Sequence, residues 1–249
     1  MIMNLSKYYL LLITIVIISA CKTKKTDDEI IPIRELYENG LKFLEQNKYR
    51  KAADEFERVF FQHPGNDLTP QAELMQAYSL YLDGEYDQAV DVLDMFIRLH
   101  PRHQDIAYAY YLKALSNYVQ ISDTKLDQSR TRYAKEDFEE VIHRFPGSNY
   151  ATDAALKIDL VNDHLAGKEM LVGRYYLKKR NPVAAVKRFQ NVIAYYQTTS
   201  HVPEALFRLV ESNLMLGLKD EASKYAAVLG HNYPSSQWYQ KSYNLINAK

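Results

Sequence analysis

Hydrophobic and polar positions divide the chain into three stretches. From Tyr8 to Ala20 thirteen residues run without a charge, behind a single basic residue at Lys7. From Lys22 to Pro32 the sequence KTKKTDDEIIP is charged and shows no hydrophobic period. From Ile33 onward apolar residues recur at helical spacing. The pattern predicts helices at Ile33–Gln46, Arg50–Gln62, Pro70–Leu82, Tyr86–Leu99, Gln104–Val119, Arg132–Arg144, Val183–Tyr196, Pro203–Leu216 and Lys219–Leu229. The stretch Tyr150–Arg180 lacks Pro and reads as one long helix. Ser235 and Ser236 are placed to cap a last helix through Tyr239 and Leu245. Eight Gly and eight Pro in 249 residues are few interruptions, which favours helices over many short strands.

Aligning the helical region on its prolines exposes a repeat. Gly40, Phe43, Ala52, Phe56 and Pro64 stand in the order of the tetratricopeptide pattern. Tyr49, Ala52, Val59 and Pro64 recur at the same spacing as Tyr86, Ala89, Phe96 and Pro101, with Leu93 at the place of Phe56 and Ala77 at that of Gly40. A third unit supplies Ala134, Phe138, Val141 and Pro146, and its first helix is displaced by an insertion around Ser122 to Arg130. A fourth supplies Gly173, Tyr176, Ala185, Phe189 and Val192, with Gln197 at the Pro position. The fifth keeps Ala222, Leu229 and Pro234, with Ala226 in place of Phe. The reason for the pattern is steric. Small residues let two helices approach, an aromatic fills the gap, and Pro ends the second helix. Such a unit cannot bury its apolar face alone, so units must stack. The expected fold is therefore all-α: a tetratricopeptide-repeat solenoid of about five helix pairs plus a C-terminal capping helix. Its organisation is a leader at 1–20, a tether at 21–32, three repeats at 33–148, and two repeats with the cap at 149–249.

The apolar leader is too short for a spanning helix, which needs about 20 residues, and fits the core of a secretory signal. Ile18-Ser19-Ala20-Cys21 resembles a bacterial lipobox. The resemblance implies cleavage before Cys21 and an S-diacylglycerol plus an N-acyl chain on that residue. Several acyl chains together anchor stably where one does not. The competing readings of Cys21 are an inert buried thiol or an uncleaved anchor. Lys22, where inner-membrane retention would place Asp, resembles outer-membrane sorting. Lys22, Lys24 and Lys25 read as part of a solvated linker.

Lys and Arg number 31 and Asp and Glu 31, so there is none of the basic excess of a nucleic-acid binder. The single Cys excludes an intramolecular disulfide. No nucleophile elbow, phosphate loop, H-E-x-x-H or dinucleotide fingerprint occurs. His100 and His103 straddle Pro101 and read as exposed loop residues. Asp159 and Asp163, one turn apart, read as a solvated face. No catalytic residue, metal site or cofactor beyond the lipid is expected, and no enzyme activity. Asp54–Arg58, Asp94–Arg98, Glu140–Arg144 and Glu204–Arg208 are spaced as helical ion pairs worth tenths of a kcal/mol each.

Tyrosine is abundant, 21 residues against one Trp. On the first helix of each unit, helical spacing aligns Arg34, Tyr37, Leu41 and Leu44; then Gln71, Leu74, Tyr78 and Tyr81; then Tyr108, Tyr111, Leu115 and Tyr118. Tyr37, Tyr78, Tyr81, Tyr108 and Tyr111 are the candidate lining of a peptide groove. A phenol ring gives large contact area with little entropy to lose. About half of these rings are expected to serve packing between helices.

Three stretches carry a family resemblance: Phe96-Ile97-Arg98-Leu99-His100-Pro101-Arg102-His103 with Ile106-Ala107-Tyr108 and Tyr111-Leu112; Phe145-Pro146-Gly147-Ser148-Asn149-Tyr150 with Thr152-Asp153-Ala154; and His201-Val202-Pro203-Glu204-Ala205-Leu206 with Arg208-Leu209-Val210-Glu211. Asn232-Tyr233-Pro234, Ser236 and Trp238-Tyr239 add a fourth match. From roughly Cys21 to Ile246 the chain resembles the BamD (ComL) family of outer-membrane assembly lipoproteins. That resemblance implies a lipid-anchored protein on the periplasmic face of the outer membrane. It also implies a complex that inserts β-barrel proteins. The implied partners are the POTRA domains of the central barrel subunit, other assembly lipoproteins and unfolded barrel clients. The C-terminal repeats would hold the POTRA domains and the N-terminal repeats would meet an extended, aromatic-ended client strand. Some members make a charged contact to the central subunit near the start of the fifth unit. Pro203 takes that place here, and Glu204 and Arg208 are the nearest candidates. The alternative class is a repeat lipoprotein adaptor for secretin assembly or envelope division, which would not carry these stretches. An enzyme of peptidoglycan metabolism would need converging carboxylates, and the sequence offers none.

Overall fold

A computed structural model describes residues 30–247. The lipobox, Cys21 and most of the tether lie outside them. Among the described residues there are eleven α-helices and no strand. They are α1 (Ile33–Glu45), α2 (Tyr49–Gln62), α3 (Thr69–Asp83), α4 (Tyr86–Leu99), α5 (Ile106–Tyr118) and α6 (Ser129–Arg144). The others are α7 (Asn149–Lys178), α8 (Pro182–Tyr195), α9 (Val202–Met215), α10 (Lys219–Asn232) and α11 (Gln237–Asn247). Consecutive helices pack as pairs, and α11 closes on α9 and α10. The expected tetratricopeptide solenoid is thus realised, and the stretch expected as one long helix over Tyr150–Arg180 forms the 30-residue helix α7, Asn149–Lys178.

The repeated positions form the frame. Ala52, Ala89, Ala134, Ala185 and Ala222 are all fully buried, as are Val59, Phe96, Val141, Val192 and Leu229. Phe56, Phe138 and Phe189 are buried completely between the helices of units one, three and four, and Leu93 does the same in unit two. The small partner is sized to the ring. A Cβ on Gly40 would lie 2.6 Å from Phe56, and one on Gly173 would overlap Phe189. Opposite the slimmer Leu93, Ala77 fits in the same cluster. In unit five Ala226 leaves a slot, bordered by Tyr239 from α11.

Turns repeat as well as cores. Units one, two, four and five each pass from first to second helix through a residue in the left-handed region: Asn47, Gly84, Arg180 and Gly217. At the far end of each second helix, His63, His100, Phe145, Tyr196 and Tyr233 adopt nearly the same conformation, φ near −130° and ψ near 50°. Gln197 follows Tyr196 without changing it, so the turn is set by packing and the Pro reinforces it. Ser148 and Asn181 cap α7 and α8 through Ala151 N–H and Ala184 N–H. Ser236 accepts from Trp238 N–H at the start of α11, as its sequence position suggested.

Two of the four expected helical ion pairs form. Glu140–Arg144 closes at 2.7 Å and Glu204–Arg208 at 3.3 Å. Asp54 instead turns back to Arg50, and Arg58 pairs with Glu55. Asp94 leaves its own helix for Lys113 on α5, at 2.8 Å. Lys113 also reaches Asp137 on α6, so one ammonium ties three helices. A neighbour across a helix interface outcompetes a helical neighbour when its geometry is shorter.

Candidate functional site

The first helices of units two to four lie side by side: α3 touches α5, and α5 touches α7. Their shared face is aromatic. Tyr78 and Tyr81 come from α3, Tyr108 and Tyr111 from α5, and Tyr150 from the first turn of α7. Tyr108 and Tyr111 pack against Tyr150 with ring centroids 5.8 and 5.2 Å apart. Tyr81 meets Tyr86 edge-on at 5.6 Å. Burial first, and then the fields of Tyr78, Tyr150 and Tyr81, push the Tyr108 hydroxyl far up, so it stays a neutral donor. Burial and then Asp153 push Tyr111 up in the same way.

The Tyr111 hydroxyl donates a short hydrogen bond to the Asp153 carboxylate on α7. That bond, followed by Lys157 at 3.3 Å, holds Asp153 below the usual carboxylate range. Lys157 lies over the ring of Tyr118, 5.4 Å from its centroid. The arrangement presents flat half-buried rings edged by one ion pair. Such a face offers contact area and hydrogen-bonding tips to a partner.

Four of the five candidate groove tyrosines are therefore brought together. Tyr37 is not. It packs edge-on against Phe56 at 5.4 Å and belongs to the frame of unit one. Leu74, aligned with the groove by spacing, is 2% exposed and lies in the core. Tyr118 packs on Phe138. Tyr150 and Asp153, which lie outside the tyrosine spacing of the first helices, join this face from the start of α7. The usable signal was the spacing of Tyr150, Asp153 and Lys157, which puts all three on one side of a helix.

Glu204 and Arg208 do pair, but inside a larger chain of charges. Arg174 on α7 donates to Glu204 at 3.1 Å, and Arg208 bridges Glu204 to Glu211, the latter at 2.8 Å. The Arg208 guanidinium also sits 5.7 Å from the centroid of Trp238 on α11. Next to them a cleft of about 420 Å³ is bordered by Arg174, Leu177, Lys178, Arg180, Arg208 and Met215, among others. The inner face of units four and five is thus charged where that of units two and three is aromatic.

His100 is not an exposed loop residue. Its Nε2 lies 3.1 Å from Oε2 of Glu73, a carboxylate almost wholly buried on α3. Burial raises the Glu73 pKa, outweighing the attraction of His100. Asp163 likewise has partners, accepting from the Ser200 hydroxyl at 3.0 Å and its N–H at 3.3 Å. Among the described residues no group of His, Cys, Asp and Glu converges as a metal site would require. No described helix is long and apolar enough to cross a membrane.

The profile of a family described as outer membrane lipoprotein, YfiO, matches residues 31–229. The outer membrane protein assembly factor BamD of Rickettsia prowazekii is 59% identical over 98% of both chains. The chain belongs to the BamD family. A BamD from Caulobacter vibrioides is 45% identical over 87% of this chain and 71% of its own length. Among solved structures, the TPR2AB domain of yeast Sti1 aligns with 86% of this chain and 82% of its own, at 12% identity and a TM-score of 0.43. The family is described as one of outer-membrane lipoproteins, and this member is of tetratricopeptide type, with one aromatic and one charged inner face.

Proposed function

We propose that the chain is a non-catalytic subunit of the machinery that assembles outer-membrane β-barrels. It is held to the periplasmic face of the membrane by the lipid on Cys21. It binds the POTRA domains of the barrel-bearing subunit through its C-terminal repeats, sits beside other assembly lipoproteins, and receives extended segments of unfolded clients on α3, α5 and the start of α7. The observation that supports client binding is the cluster Tyr78, Tyr81, Tyr108, Tyr111 and Tyr150. Neutral rings with polar tips suit an extended segment of aromatic and aliphatic residues. The Arg174–Glu204–Arg208–Glu211 chain supports a polar partner contact on the other inner face, with Glu204 and Arg208 as the residues to vary.

The test is co-purification from outer membranes in mild detergent through a C-terminal tag. A POTRA-bearing barrel protein in near-equal amount is the expected result. A secretin without that barrel would overturn the reading. Cys21→Ala should leave the repeats folded and release the chain from washed membranes.

A further inference from the structure

The turns from first to second helix differ in what they show to solvent. In unit one the cations are engaged: Lys48 donates to Gln46 at 2.7 Å, and Arg50 reaches Asp54 at 3.5 Å and Gln88 at 3.0 Å. In unit two the turn is acidic, Asp83-Gly84-Glu85 with Asp87 behind it. Units four and five break with both. Lys178, Lys179 and Arg180 stand exposed in a row where α7 ends. Where α9 ends, Met215, Leu216 and Leu218 are 49%, 37% and 48% exposed around Gly217, which supplies the positive φ of the turn. Lys219 follows them, also exposed.

The two turns meet at the cleft of about 420 Å³, where Met215 stands with Lys178 and Arg180. The charges there do not balance. Arg174 and Arg208 hold Glu204, and Arg208 holds Glu211. Lys178, Arg180 and Lys219 make no side-chain hydrogen bond or ion pair among the described residues. Lys179 lies over the Tyr175 ring, 5.8 Å from its centroid. Asp220 and Glu221 follow in the first turn of α10, where the helix dipole favours them, and Glu221 is taken by Lys224 at 2.6 Å. Open cations call for an anion. A run of exposed apolar side chains beside them calls for a phase that removes it from water. A free phosphate answers the cations and leaves the run wet. An apolar surface answers the run and leaves the cations unmatched. An anionic phospholipid layer answers both, since its phosphates lie directly above its acyl chains.

We propose that the edge formed by the α7–α8 and α9–α10 turns is a second membrane contact. Lys178, Arg180 and Lys219 meet the phosphates of anionic phospholipids, and Met215, Leu216 and Leu218 enter the boundary between headgroups and acyl chains. Arg174 and Arg208, held by their glutamates, are not needed for it. A lipid on a tether leaves the repeats free to turn, and a contact in the last two units fixes which edge they present to the membrane. The inference rests on the reading that the lipid on Cys21 holds the chain at a membrane.

The test uses the full lipidated chain carrying Leu218→Cys, labelled there with a polarity-sensitive fluorophore and reconstituted into vesicles. Cys21, its thiol in the lipid linkage, takes no label. One set of vesicles is phosphatidylcholine alone, and in the other phosphatidylglycerol replaces part of it. The label should report a dry environment only with phosphatidylglycerol. Lys178→Gln and Lys219→Gln, at exposed side chains without an internal partner, should keep the fold and each lower the docked-to-undocked ratio about fivefold. A signal that is absent, equal in both vesicles or indifferent to both substitutions would overturn the contact, and flotation with the vesicles would leave the anchor standing. A signal abolished by millimolar inorganic phosphate at constant ionic strength would make this a free-phosphate site. One that needs a POTRA-bearing barrel protein and no anionic lipid would make it a protein interface. Either result overturns the membrane contact. A chain that does not float with the vesicles takes anchor and edge contact down together.

Discussion

The inner faces of units two and three and of units four and five are built on the same steric frame and carry opposite chemistry. In units two, three and four a buried alanine and a buried ring or leucine set the helix spacing, while unit five keeps the buried alanine and has a slot at Ala226 bordered by Tyr239 of α11. Outside that frame α3, α5 and the start of α7 present tyrosines, while the end of α7 and α9 present Arg174, Glu204, Arg208 and Glu211. The frame fixes where first helices stand and leaves their outward residues free to specify what they meet. α7 belongs to both regions. Its Tyr150 and Asp153 face the aromatic side, and its Arg174 faces the charged one.

The largest test of the shared frame is to remove one ring from unit one, where the frame begins, and one from unit four. Phe56→Ala and Phe189→Ala should each cost about 3–5 kcal/mol, since both side chains are fully buried against a glycine that offers nothing to fill the hole. Chemical denaturation with hydrogen exchange would show the loss. A cost under about 1 kcal/mol at either site would mean that helix spacing there does not depend on the ring.

The frame was legible in the sequence because it is a rule of size at fixed spacing. Ala52, Phe56 and Pro64 announce a unit before any contact is known. The inner faces were legible only in part, because their partners come from other helices. Asp94 was spaced for Arg98 and found Lys113. Tyr37 shared its spacing with the groove and went to Phe56. Tyr150 entered the cluster through the register of α7 against α5, which no local pattern encodes. Gln197 shows the converse, a lost Pro without a lost turn.

A smaller effect separates the two faces by their physics. Tyr111→Phe removes a hydrogen bond to a carboxylate and should cost about 1.5–3 kcal/mol. Glu204→Gln takes the central anion out of a partly screened chain and should cost about 1 kcal/mol or less. Raising the salt concentration should shrink the Glu204 effect and leave that of Tyr111 nearly unchanged, because screening acts on ion pairs near solvent. Equal salt dependence would erase the distinction between the faces.

The smallest effect lies within the aromatic region and concerns the sign of its response to acid. The Tyr111 bond and Lys157 depress Asp153, so the folded state binds its proton less readily than the unfolded chain does. Its stabilisation is present above the ordinary carboxylate pKa, about 4, and is lost as pH falls through the lower folded value. Glu73, raised by burial, runs the other way: its burial penalty is relieved as pH falls through its raised pKa. Asp153→Asn should therefore flatten the acid side of the stability curve, and Glu73→Gln should steepen it. Denaturation midpoints followed from neutral to acid pH would decide this. Parallel curves for the two variants would show that neither carboxylate is held as its surroundings require.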